Sequence, residues 1–80
     1  MRTIENSAMG TLRVTVRRRL SLFENENNAY LHLRSIACQE EPNQPENGIF
    51  LENEYVPEDE IRAMIHEEFT QEGYRYVVRK

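Results

Sequence analysis

Thr11-Leu12-Arg13-Val14-Thr15-Val16-Arg17-Arg18-Arg19-Leu20-Ser21-Leu22 is the stretch on which the fold turns. Leu12, Val14, Val16, Leu20 and Leu22 share one parity, while Thr11, Arg13, Thr15, Arg17, Arg19 and Ser21 share the other. Alternation of this kind predicts a half-buried strand. At about 3.3 Å per residue, eleven residues span roughly 36 Å, which is long for a small domain. Arg18 breaks the pattern, because its parity sets it in the apolar file between Val16 and Leu20. A single bulge does not rescue it, since Leu20 and Leu22 resume the original phase.

After the polar run Glu24-Asn25-Glu26-Asn27-Asn28, alternation resumes, with Ala29, Leu31, Leu33, Ser35 and Ala37 on one side. Tyr30, His32, Arg34, Ile36 and Cys38 take the other. The two runs predict a hairpin. A four-residue loop over 25–28, pairing Glu24 with Ala29, keeps both apolar files on one face. Residues 39–48, with two prolines and no periodicity, read as an exposed connector. Ile49 to Val56 reads as a short third strand, weakened by Glu52-Asn53-Glu54.

Pro57 suits the first turn of a helix, and Glu58, Asp59 and Glu60 set negative charge at its positive dipole end. Ile61, Met64, Ile65 and Phe69 fall on one stripe at helical spacing, and Gly73 supplies a stop, so the helix is expected near 57–72. Tyr74-Arg75-Tyr76-Val77-Val78, aromatic and β-branched, then predicts a final strand. The expected architecture is a small two-layer α+β domain of order β-β-(β)-α-β. One helix covers an antiparallel or mixed sheet of three or four strands. Residues 1–80 form a single domain with a frayed lead-in over 1–10.

Glu68 is the helix's counterpart of Arg18. At 100° per residue it lies in the middle of the apolar stripe. An unpaired buried charge costs several kcal/mol, so two misplaced charges of opposite sign predict an Arg18–Glu68 ion pair where helix meets sheet. The same face is also a candidate surface for self-association.

Charge is divided unevenly along the chain. Residues 1–38 carry six arginines against three glutamates and residues 39–80 carry eleven acids against four bases, so the halves are +3 and −7 within a net charge of −4. The basic half needs an acidic counterpart, in the molecule or on a partner. Nine of the ten basic side chains are arginine, a bias toward bidentate recognition that codon usage explains equally well. The many carboxylates read chiefly as a solubilising surface.

Several classes are excluded. Cys38 is the single cysteine, which rules out an internal disulfide and a disulfide-rich secreted scaffold. No apolar run exceeds three residues, far short of a membrane span, and a cytoplasmic location is expected. As strand residues, His32 and Cys38 would stand about 20 Å apart. The His66-Glu67-Glu68 run lacks the second histidine of a zinc-protease helix, and Gly10, Gly48 and Gly73 form no phosphate loop. No enzymatic activity, metal or cofactor is expected.

The outward arginines are what remains. Arg13, Arg17 and Arg19 would share the outer sheet face with Tyr30, His32 and Arg34. The sequence therefore points to a non-enzymatic binding or accessory protein. Its arginine face or open sheet edge would engage another protein or a second copy of itself. The alternative is a nucleic-acid-binding module, with the arginines on phosphate and Tyr30 as a stacking surface. Against it stand a pI of about 5.1 and the lack of a nucleic-acid-binding signature.

Overall fold

Thr11–Arg18 is helical, not extended, in the computed structural model. The structure describes the backbone of residues 7–78 and the side chains of residues 7–71. Helix α1 spans Ser7–Arg18 and buries Ala8, Leu12 and Val16. Those three are four residues apart, so Leu12 and Val16 satisfy a helical period as well as an alternating one. Val14 decides between the two, and it is 45 % exposed. One long-range and one local hydrogen bond accompany the helix. The Ala8 N–H donates to the Glu54 carboxylate at 2.9 Å, and the Thr15 hydroxyl donates to the Thr11 carbonyl at 2.9 Å. Each β-branched residue at 14–16 costs only a few tenths of a kcal/mol in a helix, less than tertiary packing returns.

The predicted hairpin partner is helical too. Helix α2, Glu26–Glu40, buries Ala29, Tyr30, Leu33 and Ala37, and leaves Leu31 53 % exposed. Asn25 caps it, accepting from the Asn28 N–H at 2.9 Å. The polar run expected to close a hairpin thus starts a helix. A single 3-10 turn at Leu20–Leu22 joins α1 to α2.

The sheet is correspondingly small. Strands β1, Gly48–Leu51, and β2, Glu54–Pro57, pair antiparallel with Ile49 opposite Val56 and Phe50 opposite Tyr55. The expected single strand over 49–56 is therefore a hairpin. Its two-residue turn, Glu52-Asn53, has φ of 54° and 63°, the left-handed pair of a type I′ turn. Gly48 permits a close approach, since a Cβ there would lie 2.5 Å from the Val56 carbonyl oxygen.

Helix α3 runs Glu58–Val78, with Glu58, Asp59 and Glu60 in its first turn. The helix passes through Gly73, where a stop was expected, and replaces the expected final strand at 74–78. A helical glycine costs about 1 kcal/mol relative to alanine and does not by itself end a helix. Residues 7–10 of the expected lead-in belong to α1, and residues 1–6 lie outside the described residues. The three-to-four-stranded sheet with one helix is thus replaced by three helices and a two-stranded hairpin. One core joins them: Leu12 and Val16 from α1, Leu33 from α2, Ile49 and Val56 from the hairpin, Ile61 and Ile65 from α3.

The connector between α2 and β1 is held by two side chains. Arg34 Nη1 donates to the carbonyls of Pro45 and Gly48 at 2.9 and 2.7 Å. Gln44 does more. Its amide oxygen accepts from the Phe50 N–H at 2.8 Å, and its Nε2 reaches the carbonyls of Phe50, Glu41 and Ala37 at 3.0, 2.8 and 3.3 Å. One side chain thereby occupies the outer edge of β1 at Phe50 and closes the end of α2. Gln44→Glu keeps the shape and removes the donor, setting a carboxylate against three carbonyls. Urea denaturation should show a loss of about 2 kcal/mol; an unchanged midpoint would mean that the connector is held elsewhere.

Candidate functional site

Among the described residues there are six arginines, and the structure divides them sharply. Arg13 Nη1 contacts Glu68 Oε2 at 2.7 Å and Glu67 Oε1 at 3.0 Å. Arg17 binds the same Glu68 carboxylate with two nitrogens, Nε to Oε1 and Nη2 to Oε2, both at 3.0 Å. Arg34 holds the connector. Arg62 pairs with Glu58 at 2.7 Å, donates to Asn27 Oδ1 at 3.2 Å, and stacks its guanidinium 4.2 Å from the centre of the Tyr30 ring. Among the described residues Arg18 and Arg19 have no ion-pair partner, and both are exposed.

The expected Arg18–Glu68 pair is thereby corrected. Glu68 is 3 % exposed, but the guanidinium groups that reach it belong to Arg13 and Arg17. On a strand, parity turns Arg13 and Arg17 away from the buried face and Arg18 toward it. On a helix, Arg13 and Arg17 stack one turn apart on the flank of the Leu12–Val16 stripe. Hydrogen bonds from Arg17 do most to lower the Glu68 pKa; burial opposes them, and Arg13 adds to the lowering.

Most of the expected partner-binding set is engaged inside the molecule. Arg13, Arg17 and Arg34 make the contacts just described. Tyr30 is buried beneath Arg62 and is not available as a stacking platform. His32 is half-buried with its ring centre 5.4 Å from that of Phe23. Arg19 is the one exposed member of the six with no hydrogen bond or ion pair among the described residues, and no single face gathers the set. The open strand edge expected for partner pairing is covered at Phe50 by Gln44.

A different surface emerges. Val14, Leu22 and Leu31 are 45, 70 and 53 % exposed, and all three border Arg18 or Arg19. Three shallow hollows follow one another. The first is lined by Ser7, Gly10, Thr11, Val14, Thr15 and Arg18. Val14, Thr15 and Arg18 continue into the second, which adds Arg19, Leu22 and Ile36. Arg19 and Leu22 continue into the third, beside Phe23, Leu31 and His32. The result is a shallow trough along α1, across the 3-10 turn and onto α2, with polar and apolar side chains mixed in its walls, and it carries the two arginines that have no ion-pair partner among the described residues. The sequence held a partial signal for it: Val14 and Arg18 are one helical turn apart on α1, away from the stripe of Ala8, Leu12 and Val16, and Leu22 follows in the 3-10 turn.

Among the described residues no three His, Cys, Asp or Glu side chains converge where a metal ion would sit, and no helix is long and apolar enough to cross a membrane. No family model, curated protein or solved structure matches the chain.

The lowered Glu68 pKa fixes a pH dependence. Because the folded value lies below the ordinary 4.5, the charged group's contribution is complete above that pH and is lost as pH falls through the lowered value. Glu68→Gln should cost about 1–3 kcal/mol at pH 7, and its deficit relative to the parent should shrink below pH 4.5. Urea titrations at pH 7 and in acid would show this; a deficit that does not change with pH would contradict it.

Proposed function

We propose that this chain is a non-enzymatic binding module that engages another protein through the trough formed by α1, the 3-10 turn and α2. One observation carries the reading. Four of the six described arginines are committed to contacts within the fold, and the two that are not lie on the same surface as Val14, Leu22 and Leu31. Arginine is enriched at protein–protein interfaces, and here it stands beside exposed aliphatic side chains that a partner would cover.

Site-specific photo-crosslinking tests this in the native host. A benzophenone side chain at Leu22 or Leu31 should give discrete, protease-sensitive adducts. The same group at Ala63, exposed on α3, should not. The adducts should disappear in the Arg18→Glu, Arg19→Glu double variant. Nuclease-sensitive adducts would favour nucleic acid instead, and equal labelling at Ala63 would contradict the reading.

A further inference from the structure

Taking the docking role of the trough as given, we infer that its occupant is a short acidic amphipathic helix belonging to a different protein. The shape supports a helix. The first hollow lies on α1 alone, the second is bordered by α2 at Ile36, and the third by α2 at Asn28, Leu31 and His32. Val14 and Arg18 stand one helical turn apart on α1, about 6 Å along its axis, and Leu22 follows in the 3-10 turn. Leu22 stands between the second and third hollows as a ridge. A ridge of that kind fits between side chains spaced i and i+4 on a partner helix. Apolar anchors at such spacing, laid into a groove between helices, are a recurrent mode of peptide recognition.

The charges support an acidic partner. Arg18 and Arg19 reach no carboxylate among the described residues, although the chain carries fourteen acids. A guanidinium beside apolar surface is best matched by a carboxylate held bidentately, and covering the surface strengthens that pair by excluding water. Glu24 lines the third hollow and is the acid nearest this role, yet it makes no ion pair with Arg19.

The same charges argue against other occupants. A second copy related by a two-fold axis would set Arg18 and Arg19 near their own equivalents. A second copy presenting Glu58-Asp59-Glu60 would bind head to tail, and such contacts grow into open chains unless they close into a ring. Nucleic acid would meet only two cations, with the half-buried rings of Phe23 and His32 packed against each other rather than presented to a base.

Fluorescence anisotropy with synthetic peptides tests the assignment. Three labelled peptides of about fifteen residues, long enough to form a helix, are titrated with the full chain at low salt. The first carries Leu at i, i+4 and i+7 with Glu elsewhere on the flanks. In the second, every Glu becomes Lys. The third has the composition of the first with its Leu residues two apart. The first should bind saturably, about tenfold or more tighter than either control, and should weaken with added salt. Arg18→Glu, Arg19→Glu should abolish the preference, and Leu22→Ser should weaken binding of the first peptide with the charges untouched. Both variants lie at exposed positions, and circular dichroism checks that they fold.

Equal binding of the Lys peptide or of the respaced peptide would overturn the inference. So would a dimer in sedimentation that Leu22→Ser dissociates, since it assigns the trough to a second copy. If no peptide binds while crosslinking at Leu22 and Leu31 still yields protein adducts, the acidic helix is wrong and the docking role stands. If both fail, both readings fall.

Discussion

A carboxylate with almost no exposure, Glu68, sits in the apolar stripe of α3, and the fold around it follows from the need to pair it. Leaving such a charge unpaired would cost several kcal/mol, a large part of the stability expected of an 80-residue chain. On a strand, Arg13 and Arg17 would lie about 13 Å apart on the face opposite Leu12 and Val16. On a helix they come within one turn of each other beside those residues. Only the helical form lets α1 bury Leu12 and Val16 while delivering two guanidinium groups to one carboxylate. The constraint therefore acts on conformation as much as on energy. It fixes which face of α1 meets α3.

The remaining contacts extend the same pattern of long-range pairing. Glu54, in the hairpin, caps the first turn of α1, and Glu52 accepts from the Thr11 hydroxyl at 2.8 Å. Arg62 and His66 on α3 reach Asn27 and Glu26 in the first turn of α2, the latter at 2.9 Å. Arg13 and Arg17 of the +3 half are thus answered by Glu67 and Glu68 of the −7 half. That complementarity leaves Arg18 and Arg19 as the basic side chains with no internal role among the described residues. Tyr30 is the cost of this arrangement on the other side, with its ring beneath Arg62 and its hydroxyl buried without a partner.

Some of this was legible in the sequence. The stripe Ile61, Met64, Ile65 and the anomaly at Glu68 stand on α3 as their spacing predicts, and Phe69 is half-buried beside them. The first two helices were not legible from alternation, because Leu12 and Val16, and likewise Ala29, Leu33 and Ala37, fit periods of two and of about four equally well. The discriminating residues are Val14, Leu31 and Arg18. A strand buries all three, and a helix exposes all three. Arg18, a buried anomaly on a strand and an exposed side chain on a helix, is the sequence signal that favours the helical period. The hairpin was hidden for another reason, since Glu52-Asn53 lacks the glycine that usually marks a type I′ turn. The trough follows from the helical period of α1 and α2, because a strand buries Val14, Arg18 and Leu31 while a helix exposes them.

The central claim is that Arg17 and Glu68 are coupled and that Arg18 is not. A double-mutant cycle measures this directly, using Arg17→Ala, Arg18→Ala and Glu68→Gln singly and in pairs, with unfolding free energies at neutral pH. The account predicts a coupling of about 1–2 kcal/mol for Arg17 with Glu68, and additivity within about 0.5 kcal/mol for Arg18 with Glu68. Coupling of Glu68 to Arg18 with none to Arg17 would contradict the helical α1 and the surface derived from it.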